Sequence, residues 1–195
     1  MLDRDEPGIS SSRGESLRSN ALQLLRDRHA DSIEHLNGVL LDHLERTERL
    51  LLAWGSSDAL ATAGLCHAFY GTDGFAPVLL RLDERGVLTA AVGPDVEGAV
   101  YFYASCDRGF FYPRIGAGEW TAFRDRFTGE MFTPSEQQLR AFADLTLANE
   151  ADVATCGNAS SSLPQWFASL AHEFEPLASR EVADACDRKG WIAVS

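Results

Sequence analysis

Val39-Leu40-Leu41-Asp42-His43-Leu44-Glu45-Arg46-Thr47-Glu48-Arg49-Leu50-Leu51-Leu52-Ala53-Trp54-Gly55-Ser56-Ser57-Asp58 decides the architecture. Leu40, Leu41, Leu44, Leu50, Leu51 and Leu52 recur at helical spacing, which predicts an amphipathic helix over 39–54. Gly55 stops that helix, and the Ser57-Asp58 pair supplies an N-cap for the next. The next helix is expected over 58–70, rich in Ala, and ends at Gly71-Thr72-Asp73-Gly74. Two helices joined by so short a turn fold back as an antiparallel hairpin. His43 lies eleven residues before Trp54 and His67 nine after Asp58. At 1.5 Å per residue, both sit roughly 14–16 Å from the turn, so their side chains share one level.

Working outward, Leu17, Ala21, Leu24 and Leu25 predict a helix over 15–28, preceded by a mobile tail over 1–14. Further helices are expected over 82–92, 94–106 (opened by Pro94), 134–156, 163–174 and 179–189. Ser135 with Gln138 three residues on is a capping-box signature. Residues 109–133 read as a long loop with a small hairpin turning near Gly129, and 157–162 as an internal linker. The aromatic residues Phe110, Phe111, Tyr112, Trp120 and Phe123 of this loop are expected to cap the core. The fold class is all-α, a single domain over 15–195 with a loop-and-hairpin insertion.

Of 195 residues, 45% are hydrophobic, enough for a real core, and no apolar run is long enough to span a bilayer. Seventeen basic residues against 29 acidic leave a net charge of −12. Nucleic acid and anionic membranes need the opposite field, so neither is an expected partner. The N-terminus lacks a basic-then-apolar leader, and the four cysteines form no Cys-x-x-Cys pair. The expected setting is cytoplasmic, with a small-molecule substrate and a possible homodimer.

His43 and His67 admit two readings. Facing imidazoles completed by a carboxylate hold a divalent metal in helical bundles; alternatively, each is a core histidine satisfied by a backbone carbonyl or a nearby acid. If the second helix starts before Gly38, His35 and Asp42 fall near one face, where Asp42 would tune an imidazole for proton transfer. Tyr70 and Thr72 follow His67 closely enough to border the same pocket.

His35-Leu36-Asn37-Gly38-Val39-Leu40-Leu41-Asp42-His43-Leu44-Glu45-Arg46-Thr47 and Ala63-Gly64-Leu65-Cys66-His67-Ala68-Phe69-Tyr70-Gly71-Thr72-Asp73 are two ordered blocks. Arg126-Phe127-Thr128-Gly129-Glu130 and Leu147-Ala148-Asn149-Glu150-Ala151-Asp152 follow. Together they resemble a family of bacterial and plant proteins without an assigned function, itself distantly similar to HD-domain metal-dependent phosphohydrolases. The resemblance implies an HD-like helical bundle with His43 and His67 as metal ligands. It also places a departure at Ala68, where the HD doublet carries Asp. A late acid, Glu150 in first place with Asp107 and Asp152 as alternatives, would complete a single Fe, Mn or Zn site. His35, Asp42 and Tyr70 are the expected catalytic groups; Thr72, Asp107 and Arg108 are the expected substrate contacts. Three functions follow from these residues. One is metal-activated hydrolysis, or its oxygenase variant with non-heme iron. The second is metal-free acid–base catalysis, and the third is ligand binding without chemistry.

Overall fold

The computed structural model describes residues 7–36, 38–75, 77–156 and 164–191, with side chains from Gly14 onward. Helix α1 (Pro7–Asp27) leads to a two-residue hairpin, β1 (Glu34–His35) and β2 (Gly38–Val39), then α2 (Leu40–Ala53) and α3 (Asp58–Cys66). After an extended turn come α4 (Arg85–Val92), α5 (Pro94–Ser105) and α6 (Arg108–Gly116). A second hairpin, β3 (Phe123–Arg124) with β4 (Met131–Phe132), precedes α7 (Glu136–Thr155), α8 (Gln165–Phe174) and α9 (Arg180–Arg188). The architecture is mostly helical, as the apolar periodicity predicts. Among the described residues no helix is long and apolar enough to cross a membrane.

Local chemistry sets the helix starts. Ser57 Oγ accepts from Leu60 N, Ser179 Oγ accepts from Val182 N, and Ser135 with Gln138 closes the capping box reciprocally. At the α2–α3 crossing, a Cβ on Gly64 would lie 2.5 Å from Leu51 Cδ1, so the glycine lets the two backbones approach. One buried cluster packs α1, α2, α3, α4 and α5 through Leu25, Leu44, Leu65, Leu88 and Val100, with Phe69 from the turn after α3. The other is aromatic. Phe142 on α7 meets Phe102, Tyr103, Phe111, Tyr112, Phe123 and Phe174 at ring-centroid distances of 5.6–6.4 Å.

Three expectations about boundaries change. Helix α1 extends eight residues before position 15, through most of the expected tail; residues 1–6 lie outside the described residues. Helix α3 stops at Cys66, and His67–Tyr70 form turns closed by Phe69 N to Cys66 O and Gly71 N to Ala68 O. The segment 109–133 keeps its hairpin, but its first third is α6, capped by Asp107 Oδ1 accepting from Phe110 N. Phe111 and Phe123 are fully buried, which makes the insertion part of the core. The linker over 157–162 lies outside the described residues.

Asp144 on α7 is buried where a carboxylate is poorly solvated, which pushes its pKa up to about 6 despite a hydrogen bond from Ser179 N. A raised acid pKa gives stability that is complete below the unfolded value of 3.8 and is lost as pH rises through 6. Asp144→Asn, which keeps the acceptor and drops the charge, should therefore stabilise the fold at pH 7 by about 2–3 kcal/mol. Urea unfolding of both proteins at pH 7 and pH 4 checks this; the gap should close at the lower pH.

Candidate functional site

Three histidines meet at one end of the α2–α3 hairpin. The His43 and His67 ring centroids are 5.3 Å apart, as their matched distances from the turn require. His35 arrives differently from expected: it lies on β1, outside the helix, and Leu40 N to Ile33 O and Leu41 N to Ala30 O hold its hairpin against the start of α2. Its ring stands 4.5 Å from that of His43 and 4.9 Å from that of Phe75. The three rings line a cavity of about 440 Å³ with Glu34, Leu36, Leu40, Thr72, Asp73, Phe75, Arg108, Asn149, Glu150 and Val153 among its other walls.

His43 is 2% exposed and both of its nitrogens are engaged. Nδ1 lies 2.7 Å from Asp152 Oδ2, and Nε2 lies 2.9 Å from Asn149 Oδ1. The Asn149 amide is oriented by its other end, where Nδ2 donates to Glu150 Oε1 at 2.9 Å. Reversing the amide would set two acceptors against each other, so Asn149 presents its oxygen to the ring. Facing an acceptor on each side, His43 carries both protons and a positive charge. Burial pushes Asp152 up, but hydrogen bonds from His43 and the fork of Arg46 (2.6 and 3.0 Å) outweigh it and hold the carboxyl below its ordinary value.

The neighbouring rings are neutral. Burial, then the charge of His43, lowers His67 to about 3 and His35 to about 4. His67 donates from Nδ1 to Gly64 O at 2.7 Å, so Nε2 is left with a lone pair. No other described residue hydrogen-bonds that nitrogen, and the ring lines the cavity. His35 Nε2 is likewise buried without a partner among the described residues. Also in the lining, Arg108 donates from Nη1 to Glu150 Oε1 at 3.3 Å and from Nη2 to the Tyr103 hydroxyl at 2.9 Å.

The expected residues sort as follows. His35, His43, His67, Glu150, Thr72 and Arg108 converge on the cavity. Asp42 does not: it is exposed, because it is rotated about 100° from His43 on α2. Tyr70 is buried elsewhere and donates to Glu97 Oε1 at 2.9 Å, because the chain has left the helix by His67. Asp107 caps α6 and pairs with Arg124, away from the pocket. None of residues 109–133 lines the cavity; Arg108, one position earlier, does. The acid against His43 is Asp152, with Asn149 one turn before it, and Arg46 completes the set one turn after His43. Those i,i+3 spacings were the available signal for Arg46 and for Asn149 with Asp152.

The proposed metal trio does not suit an ion as it is arranged. Both His43 nitrogens are committed, Glu150 is held by Arg108 and Asn149, and only His67 offers a free donor atom. Among the described residues no group of three His, Cys, Asp or Glu side chains is placed to hold a metal.

Comparison with curated proteins and with solved structures returns no match. Residues 24–108 match the profile of a family described as a domain of unknown function (DUF6817). The match takes in His35, His43, His67 and Arg108, and stops before the α7 residues that set the charge of His43.

Proposed function

We propose that this chain is a small-molecule-binding domain whose pocket holds its ligand through neutral imidazole acceptors. The carrying observation is His67: 3% exposed, locked by Gly64 O into one tautomer, with an unpartnered Nε2 lone pair facing a cavity of about 440 Å³. Cavities of a few hundred Å³ suit small ligands. A proton carrier works best with a pKa near the working pH, and His67 at about 3 and His35 at about 4 fall well below neutrality. They accept hydrogen bonds without taking the proton. His43 has its charge, but both of its N–H groups are spent inside the protein. Binding is thus favoured over acid–base catalysis, and over a metal-dependent reaction for which the histidines and acids present do not make a ligand set.

Nitrogen-detected NMR of histidine-labelled protein tests this reading. His67 should remain neutral, with its proton on Nδ1, from pH 8 down to pH 5. A His67 signal that titrates between pH 6 and 7 would restore the acid–base reading. One equivalent of Fe, Mn or Zn retained by protein purified without chelator would restore the metal reading.

A further inference from the structure

The polar atoms that the pocket leaves unpaired specify its ligand. Inside, Arg108 pairs with Glu150, and His43 shares Asp152 with Arg46, the last two lying behind the lining. The pocket-lining charges left over are Glu34 and Asp73, both exposed carboxylates at the rim. Deeper in, two ring nitrogens lack a partner among the described residues: His67 Nε2, which can only accept, and His35 Nε2, whose tautomer no hydrogen bond fixes. Leu36, Leu40, Phe75 and Val153 line the same cavity and offer an apolar wall. A ligand's phosphate or carboxylate would enter past two like charges and then face a lone pair. An ammonium at depth would sit by the His43 cation, whose ring is 5.3 Å from His67. A hydroxyl meets neither penalty, donates to His67 Nε2, and leaves an apolar body for Leu36, Leu40, Phe75 and Val153.

We infer that the pocket selects a neutral, hydroxyl-bearing molecule with an apolar body and rejects phosphates and carboxylates, the class that a phosphohydrolase resemblance would imply. The inference rests on the acceptor reading of His67 and adds the ligand's chemical class.

Four probes of one shape test it: cyclohexanol, cyclohexylammonium, cyclohexanecarboxylate and cyclohexyl phosphate. Each is titrated into the full chain while the His67 Nε2 signal and backbone amides around the cavity are followed. Cyclohexanol should shift His67 Nε2 saturably, at least about tenfold more tightly than either anion, which is about 1.4 kcal/mol. Glu34→Lys, a surface change with little effect on folding, should narrow that gap about threefold or more by reversing a rim charge. His67→Phe should remove the cyclohexanol response. Tighter binding of either anion overturns the inference, as does a larger His67 shift with cyclohexylammonium, or no saturable response to any probe. If an anion wins while His67 stays neutral at pH 5, the acceptor reading stands and only the ligand class fails. If His67 titrates near neutrality, both fall.

Discussion

Asp152→Ala should cost the fold about 3–5 kcal/mol, the usual penalty for stranding a buried charge. Asp152 is 3% exposed and receives His43 Nδ1 at 2.7 Å and the Arg46 fork at 2.6 and 3.0 Å. Removing it leaves a cationic ring in a protein interior, joined only to a neutral amide. Either the ring loses its proton, giving up the Asn149 contact, or the charge stays uncompensated. At about 2–4 °C per kcal/mol for a chain of this size, the melting temperature should fall by roughly 6–20 °C. Asp152→Asn preserves shape and should recover part of the packing but not the charge. A melting temperature for Asp152→Ala within a few degrees of the parent would mean that His43 is neutral in the folded protein. The depressed Asp152 carboxyl also gives stability that is present above its unfolded value of 3.8 and is lost as pH falls below it. Asp152→Asn lacks that contribution at every pH, so its stability gap to the parent should narrow as pH falls below 3.8.

Phe142→Ala is the second large effect, about 3–5 kcal/mol. The ring is 2% exposed and sits among six aromatic neighbours drawn from α5, α6, α7's own bundle partners and the β3–β4 hairpin. Few of those rings can move inward, because each is itself held by others; Phe123, for example, also stacks on Phe102 at 4.4 Å. The cavity should stay open, and denaturant unfolding should show a lower midpoint with the slope unchanged. Phe142→Leu, which leaves less empty volume, should cost about half as much. Equal losses for the two would point to a specific ring–ring term over volume.

How much of this was legible in the residues depends on what kind of information each feature needs. The α2–α3 hairpin was legible because leucine periodicity and Gly55-Ser56-Ser57-Asp58 are local signals, and the His43–His67 approach follows from counting residues to the turn. Ser135 and Gln138 marked the start of α7 for the same reason. Helix α6 was not legible, since Gly109, Pro113 and Gly116 argue against a helix and only burial of Phe111 and Ile115 decides for it. The rotation of α7 was not legible either. Which of Asn149, Glu150 and Asp152 meets His43 depends on how α7 lies across α2, a tertiary fact that no window of sequence contains. Tyr70 failed because helical phase was carried four residues past Cys66, where the helix ends.

The row Arg46, Asp152, His43, Asn149, Glu150, Arg108 matches a donor to an acceptor at every link, with Asn149 accepting from one neighbour and donating to the other. Its members consequently cannot drift one at a time in descent. An isolated exchange at 150 that turned acceptor into donor would reverse the amide at 149 and strip a proton from a ring that residue 150 never touches. Lineages that depart from this arrangement should do so through paired or wholesale replacement, and the row is best regarded as a single heritable character spread over six codons.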